Sequence, residues 1–348
     1  MPEKIMPKLL VFMSIKRKSF YKDKNMLIIY EDKYLDEIIN LWNQNVEKDR
    51  LLKPWTKDYF KQKFLSNPHF NKELFMMYQE NNKIIGIGHA SYKSLDSIDP
   101  GFISFILVDQ QHQRQGIGSS ILKALEDKLK TYGKTFVRNL FLSPFNMEWY
   151  IDDHYPHDHP GMPAVAQNTD YYFLLMNNGY NIDGQQQDVY YQDIRTYQIP
   201  DKIKKTIEEN KQIGFNITLY DESKHHGFKS LFEALNNKTW LEVVENNLSK
   251  KDPLPMLIIE KEGKILGWTG PLITEKSKRG YFAGIGVHPD VQGHGLGKAL
   301  FSSLIDYSRQ NGAEFMSLFT GHLNPARNIY LGAGFKIIKS FSVLRKNL

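Results

Sequence analysis

The sequence predicts an α+β protein built from two tandem copies of one domain. The main observation is a unit of apolar strand, glycine-rich loop and amphipathic helix, which occurs at 102–132 and again at 281–310. A shift of 179 residues aligns the two units and superimposes Val108 on Val287, Gln113 on Gln292, Gly116 on Gly295, and Gly118 on Gly297. Each unit also follows two strand-like runs joined by a hairpin signal. An ordered repetition of this kind indicates an internal duplication.

The first copy is predicted from alternating apolar patterns and turn residues. Strands are expected at 26–30, 74–79, 83–92, 102–108, 136–143 and 189–194, and helices at 34–42, 57–65, 117–132 and 169–177. Residues 144–168 interrupt this order with four prolines and the polar cluster at 152–159. We interpret that stretch as an irregular surface loop inserted into the first copy, near the substrate opening.

The second copy repeats the series after a linker helix predicted at 199–211. Its strands are expected at 217–220, 256–260, 264–269, 281–287, 314–320 and 335–343, and its helices at 226–235, 239–247, 295–310 and 325–331. The resulting domain prediction is a basic leader at 1–25, an N-terminal domain at 26–195 with the insertion at 144–168, a linker at 196–214, and a C-terminal domain at 215–348.

Composition excludes several classes of protein. The chain has 348 residues and no cysteine, which rules out disulfides, cysteine-ligated zinc and a cysteine nucleophile, and favours a cytoplasmic location. The net charge is +6, but residues 1–25 carry seven Lys/Arg against two acidic residues, so the remainder is close to neutral. We therefore expect no nucleic-acid partner and no membrane partner, and a monomer or homodimer. The cluster at 152–159 lacks ordered metal-ligand spacing, and we expect no metal site.

The glycine-rich loops predict anion-binding sites. Glycines at a strand-to-helix junction let backbone N–H groups approach a ligand closely, and the N-terminus of the following helix adds unpaired N–H groups and a positive dipole end. A phosphate or pyrophosphate is the anion best suited to such a site.

The two motifs of the second copy resemble those of the GNAT superfamily of N-acetyltransferases. One is Gln-x-x-Gly-x-Gly at 292–297, and the other is Asn-x-x-x-x-x-Tyr-x-x-x-Gly-Phe at 324–335. The first copy keeps Gln113–Gly118 and Gly179-Tyr180, and its Pro-Gly segment at 160–163 is similar to that of double-domain members such as mycothiol-synthase-like proteins. The resemblance implies a mixed, mostly antiparallel sheet in each of two GNAT domains, splayed open to hold acetyl-CoA.

The same resemblance implies roles for individual residues. In the C-terminal domain, Tyr330 would protonate the leaving thiolate and Asn324 would contact the cofactor. Backbone groups of the following residues would bind acetyl-CoA: Ile285, Val287, Gln292, Gly293, His294, Gly295, Leu296, Gly297 and Lys298 in the C-terminal domain, and Val108, Gln113, Arg114, Gln115, Gly116, Ile117 and Gly118 in the N-terminal one.

The sequence does not identify a general base. Neither motif strand carries Asp or Glu, so deprotonation of the acceptor falls to a water chain or to a residue from the other domain, with His322 as a weaker candidate. In the first copy Leu175 occupies the position of Tyr330. We therefore expect catalysis in the C-terminal domain, and a cofactor-binding or degenerate N-terminal domain.

The expected activity is direct acetyl transfer from acetyl-CoA to a primary amine of a small molecule or peptide. Two alternatives remain open at this level: a non-catalytic acyl-CoA sensor or scaffold, and an aminoacyl or long-chain acyl transferase on the same fold.

Overall fold

The computed structural model describes residues 26–49, 51–140, 143–151, 157–159 and 161–348. The predicted leader at 1–25 lies outside the described residues, as does part of the polar cluster in the insertion. Within the described ranges, no helix is long and apolar enough to cross a membrane.

The N-terminal half contains ten strands and four α-helices among its described residues. The strands are β1 (Met26–Ile29), β2 (Phe75–Glu80), β3 (Lys83–Tyr92), β4 (Gly101–Val108), β5 (Phe136–Asn139), β6 (Trp149–Ile151), β7 (His157–His159), β8 (Val165–Ala166), β9 (Asn181–Ile182) and β10 (Gln187–Asp193). The helices are α1 (Leu35–Asp49), α2 (Lys57–Phe60), which continues as a π-helical turn over Lys61–Leu65, α3 (Ile117–Thr131) and α4 (Asp170–Asn177).

The C-terminal half repeats much of this order. The linker helix is α5 (Asp201–Gln212), followed by β11 (Asn216–Leu219), α6 (Phe228–Ala234), α7 (Lys238–Leu248), β12 (Leu257–Lys261), β13 (Lys264–Thr269), β14 (Arg279–Gly280), β15 (Ile285–Val287), α8 (Leu296–Gln310), β16 (Phe315–Gly321), α9 (Arg327–Gly332), β17 (Lys336–Ser342) and β18 (Leu344–Asn347).

Helices cover both faces of the N-terminal sheet, which explains the burial of β3. Eight consecutive residues of β3 are buried, because α1 packs on one face and α3 on the other. Helix α3 turns Ile121, Leu125 and Leu129 toward the sheet at helical spacing, and all three are fully buried. On the opposite face Trp42 stacks on Trp55 with their ring centroids 3.8 Å apart. Strand β3 and its neighbour β4, which leads into the glycine-rich loop, thus lie between two apolar layers.

The two halves exchange their last strands. The N-terminal sheet has the order β1-β2-β3-β4-β5-β18-β9, so the final strand of the chain lies between two strands of the first half. In return, β10 lies between β16 and β17 in a second sheet of order β14-β16-β10-β17-β8. The remaining C-terminal strands form a sheet of order β11-β12-β13-β15. Neither half completes its sheet from its own residues.

Three sequence-based interpretations need correction. The strand expected at 189–194 in the N-terminal domain is present, but it belongs to the C-terminal sheet. The continuous strand expected at 281–287 is present only at its end, as β15, and the short β14 lies before the expected range. The final strand ends at Ser342, and the separate β18 that follows it was not predicted. Periodicity identifies a strand, but it does not say which strand pairs with it.

The insertion is also more ordered than expected of a surface loop. Its described residues include strands β6 and β7, which pair with one another, and β8, which pairs with β17. Trp149, Ile151 and His159 are almost completely buried. They contact an apolar cluster that includes Phe341 and Val189. The described part of the insertion therefore packs between the halves.

The exchange predicts that a substitution in β18 destabilises the N-terminal half. Leu344 is fully buried in the cluster that contains Val137 and Leu175, so Leu344→Ala should lower the free energy of unfolding by about 2–5 kcal/mol. Amide hydrogen exchange should then show lost protection in β5 and α3. The matched control is Leu323→Ala, since that side chain is 67% exposed. Loss of protection confined to 201–342 would contradict the exchange.

Candidate functional site

Strands β4 and β5 separate immediately after they meet. They pair in parallel only at Gly101 and Val137. Beyond that point, side chains satisfy the backbone of Ile103: its N–H donates to Oδ1 of Asn139 at 3.0 Å, and its carbonyl accepts from the hydroxyl of Tyr171 at 2.9 Å. Asn139 also donates to the Tyr171 hydroxyl at 3.3 Å. These two residues close the narrow end of a splay between the strands.

The free edge of β4 faces this splay. The N–H of Asp109 donates to the carbonyl of Ile85 on β3 at 2.8 Å, so the backbone groups of every second residue before it also face β3. The backbone N–H and C=O groups of Ile106 and Val108 therefore point away from β3 and face the splay. The carbonyl of Val108 accepts a hydrogen bond from Nε2 of Gln113 at 3.1 Å. The edge presents peptide groups spaced to pair with an extended ligand.

The glycine-rich loop ends at the N-terminus of α3. Arg114 and Gly116 both adopt left-handed backbone conformations, with φ of 61° and 83°. The first helical hydrogen bond runs from the N–H of Ser120 to the carbonyl of Gly116, so the N–H groups of 116–119 have no acceptor within the helix. A Cβ atom placed on Gly116 would meet nothing within 4 Å. Unpaired N–H groups at a helix N-terminus with open space beside them are suited to bind an anion.

A cavity of about 840 Å³ joins these features. It runs along β4 from Ile103 to Val108, reaches Gly116 and Gly118 at the start of α3, and is bounded by α4. The opposite wall includes residues of α1 and of the insertion, namely Trp42, Asn45, Val46, Met162 and Ala164. At its rim Arg114 forms an exposed ion pair with Asp170 at 2.9 Å.

The equivalent loop in the C-terminal half is covered. A Cβ on Gly295 would lie 2.9 Å from the methyl carbon of Thr206 on α5. From the same helix, the amide of Asn210 donates to the carbonyl of His294 at 2.9 Å. Tyr197, which precedes α5, packs in the same core cluster as Leu296. The linker helix therefore occupies the space beside this loop that is open beside Gly116.

Tyr330 lies in an aromatic cluster. Its ring is 5.1 Å from that of Phe301 and 5.5 Å from that of Tyr190, and its side chain is only 5% exposed. Burial, together with a smaller effect of the neighbouring Tyr190, raises the pKa of Tyr330 to about 12. Tyr190 belongs to β10, the strand donated by the other half. The exchanged strand thus helps to fill the region where the sequence predicts a catalytic tyrosine.

Comparison with known proteins identifies the family. The pattern of the acetyltransferase (GNAT) family matches residues 35–174 and 219–335, which is well over half of the chain. The chain belongs to the GNAT family. The predictions of a GNAT superfamily member and of two tandem GNAT domains with mixed, mostly antiparallel sheets are confirmed.

Solved GNAT structures share this fold at low sequence identity. A glucosamine N-acetyltransferase region of a fungal multi-domain β-N-acetylglucosaminidase gives a TM-score of 0.64 at 15% identity, covering 94% of this chain and 38% of that one. A GNAT protein from Sphaerobacter thermophilus gives 0.56 at 13% identity, covering 92% and 95%. A tandem GNAT protein from the clavulanic acid pathway gives 0.55 at 11%, covering 93% and 98%. No curated protein matches the sequence.

The structure separates the predicted cofactor-binding residues into two groups. Those of the N-terminal GNAT domain border the cavity or belong to the loop that contributes to its wall: Val108, Gln113, Arg114, Gln115, Gly116, Ile117 and Gly118. Those of the C-terminal domain do not line it: Ile285, Val287, Gln292, Gly293, His294, Gly295, Leu296, Gly297 and Lys298. Asn324 caps its own turn by accepting from the N–H of Ala326 at 3.0 Å and lines a separate open depression. All these assignments remain predictions as ligand contacts.

Sequence reasoning missed several polar residues of the GNAT cavity, three of which affect its shape and charge. Tyr171 and Asn139 hold the splay, and Lys339 reaches the cavity from β17 of the other half. Tyr171 lies one helical turn before Leu175, so alignment to the family tyrosine position passed over it. No sequence signal places Lys339 near the first motif, because that proximity depends on the strand exchange. Among the described residues, no cluster of three or more His, Asp or Glu could hold a metal ion.

His89 lies directly behind the cavity wall. Its Nδ1 is 2.9 Å from Oγ of Ser104, which lines the cavity. The ring is fully buried among phenylalanines, including Phe105 and Phe145. This burial lowers the pKa of His89 to about 3, because a charged imidazolium would lose its hydration.

The lowered pKa predicts a pH-dependent stability. Between about pH 6.5 and pH 3 the unfolded chain protonates His89 and the folded chain does not, so stability falls as pH falls. His89→Phe lacks this contribution. From pH 7 to pH 5, the unfolding free energy of the wild type should therefore drop by about 2 kcal/mol more than that of the variant. Chemical denaturation measures both, with His69→Phe at a partly exposed site as control. Parallel curves for wild type and His89→Phe would contradict the prediction.

Proposed function

We propose that this GNAT protein transfers the acetyl group of acetyl-CoA directly to a primary amine, and that the N-terminal half binds the acetyl-CoA. The supporting observation is the cavity of about 840 Å³, which connects the free edge of β4 with the open N-terminus of α3. The sequence-based expectation favoured the C-terminal half. The open loop at Gly116 and the covered loop at Gly295 favour the reverse assignment.

The cavity matches the two chemical parts of a CoA ester. The unpaired N–H groups of 116–119 bind the diphosphate. Arg114 lies beside them, and on ligand binding its guanidinium leaves Asp170 and binds phosphate oxygens. The outward-facing peptide groups of Ile106 and Val108 pair with the amides of the extended pantetheine arm, as an added strand would. Each part of the ligand meets backbone or side-chain groups of the opposite polarity.

The transfer step forms one bond and breaks another. The amine nitrogen attacks the thioester carbonyl, an unpaired N–H of β4 stabilises the developing oxyanion, and the C–S bond then breaks to release a thiolate. Tyr171 supplies the proton that this thiolate takes up. Its hydroxyl lies at the closed end of the splay, and burial raises its pKa well above the usual value, so the phenol stays protonated. The proton lost by the amine leaves through water, and water returns a proton to the Tyr171 oxygen; Ser104 is the hydroxyl of β4 that lines the cavity.

The C-terminal half serves as a scaffold in this proposal. Its loop is covered by α5, and Tyr330 is packed against Tyr190 and Phe301. Its strand β18 completes the N-terminal sheet between β5 and β9. A sensor function for the whole chain would predict acyl-CoA binding without turnover, and a long-chain acyltransferase would bind a long-chain acyl-CoA more tightly than acetyl-CoA. Thiol release and calorimetry distinguish these alternatives.

One prediction concerns the two equivalent glycines. Gly116→Ala and Gly295→Ala place the same methyl group at two left-handed positions, each with a backbone cost of roughly 1–2 kcal/mol. Only the first methyl enters the open space beside the proposed diphosphate site. Calorimetry should show one CoA site per chain, weakened at least about fivefold by Gly116→Ala and unchanged by Gly295→Ala. The opposite pattern would assign the site to the C-terminal half.

A second prediction compares two tyrosines. Because a positioned acid contributes roughly 10²–10⁴-fold to a rate, Tyr171→Phe should lower kcat for thiol release about a hundredfold while acetyl-CoA affinity changes little. Tyr330→Phe should leave kcat within about twofold of the wild type. If Tyr330→Phe is the inactive variant and Tyr171→Phe is not, the role belongs to the residue that the sequence motif indicates.

A further inference from the structure

Lys339 is the only residue of the C-terminal half among the described residues that line the N-terminal cavity. It lies on β17, opposite Val189 of the exchanged strand β10. Two residues further along, Phe341 pairs with Ala166 of the insertion. Strands on both sides therefore fix the position of Lys339 at this wall.

The surroundings of Lys339 place it away from the proposed diphosphate site. Val189 and Phe341 belong to an apolar cluster that also contacts Met162 and Ala164. Met162 and Ala164 line the cavity on the wall formed by the insertion, whereas Arg114 and Gly116 belong to the loop before α3. The cavity thus has one cationic group at the helix N-terminus and another on a different wall.

The charge of Lys339 is not balanced within the described part of the chain. No described residue forms an ion pair or hydrogen bond with its ammonium group. Asp170 is the only carboxylate among the described lining residues, and it pairs with Arg114 at the rim. The side chain of Lys339 is half-buried. Removing an ammonium from water is costly without a partner, so the group is suited to bind an anion that enters the cavity.

We propose that Lys339 binds an anionic group of the acceptor, so that the protein acetylates amines that also carry a carboxylate or a phosphate. This inference rests on the proposed function. A plain polyamine would meet an unbalanced positive charge at this wall and would be disfavoured by repulsion. An amine with an anionic group would be held by a charge-assisted hydrogen bond at one end, with its amino group free to reach the thioester beside β4.

The test uses the full-length protein and matched acceptors in a thiol-release assay with acetyl-CoA. The pairs are phenylalanine and phenethylamine, glucosamine 6-phosphate and glucosamine, and glutamate against spermidine. We expect kcat/KM to be at least about tenfold higher for the anionic member of at least one pair. The pair that shows this preference tells whether the anion is a carboxylate or a phosphate.

Variants at Lys339 test whether this residue causes the preference. Lys339→Met removes the charge and nearly keeps the side-chain length. It should lower kcat/KM about tenfold or more for the anionic acceptor, and leave kcat/KM unchanged for the matched acceptor that lacks the anionic group. Lys339→Arg should retain most of the preference. The matched control is Lys336→Met, an exposed lysine on the same strand that does not line the cavity; it should behave as the wild type.

Calorimetry with CoA separates this inference from the proposed function. Unchanged CoA affinity in Lys339→Met, together with a lost acceptor preference, supports the inference. The inference is overturned if no anionic acceptor is acetylated, or if amines without an anionic group are equally good substrates. It is also overturned if the preference survives in Lys339→Met. Loss of CoA affinity in this variant would overturn it as well, because the ammonium would then bind the cofactor. Failure of the wild type to bind CoA would instead refute the proposed function.

Discussion

The exchange of β10 and β18 is the constraint on which the rest of the molecule depends. A strand at the edge of a sheet has unpaired N–H and C=O groups. Strand β5 pairs along its length with β18, and β16 pairs with β10, so each half covers a strand edge of the other half. The side of β4 that faces the splay stays an open edge that a ligand can use, because β4 and β5 pair only at Gly101 and Val137. The anchoring of β18 is reinforced by an ion pair at 2.6 Å between Lys346 and the nearly buried Glu126.

The exchange also explains why two similar motifs have different surroundings. Both loops place a left-handed glycine directly before a helix of 15 residues. Near the second loop, however, α5 contacts Gly295 and the donated Tyr190 packs on Tyr330. Near the first, the space beside Gly116 is open and α4 places Tyr171 across the splay. The local motif fixes the backbone geometry, and residues distant in the sequence decide whether a ligand has room there.

Much of the fold could be predicted from the sequence, because duplication and periodicity are local signals. The glycine motifs and the helices that follow them lie where the spacing places them. Strand partners could not be predicted, since the alternation in β10 is the same whichever sheet it joins. The burial of Trp149 and His159 was missed for a related reason: prolines and polar residues nearby indicate a loop, whereas the packing surface comes from β17 of the other half. The motif also directed attention to Tyr330 and passed over Tyr171, one turn away from the aligned position.

The two halves divide two requirements between them, an open ligand cleft and a well-buried apolar core. A single-domain acyltransferase must meet both with one set of residues. A ligand cleft needs unpaired backbone groups and open volume, both of which reduce the apolar burial that stabilises a small domain. Here the C-terminal half packs Phe301, Tyr330 and the donated Tyr190 into one core cluster, and so gains buried aromatic surface. The C-terminal half also stabilises the other half through β18, whose Leu344 is fully buried in the N-terminal core. The C-terminal half therefore supports the open cleft of the N-terminal half. The position of Lys339 beside that cleft follows from the same strand exchange, because β17 pairs with β10.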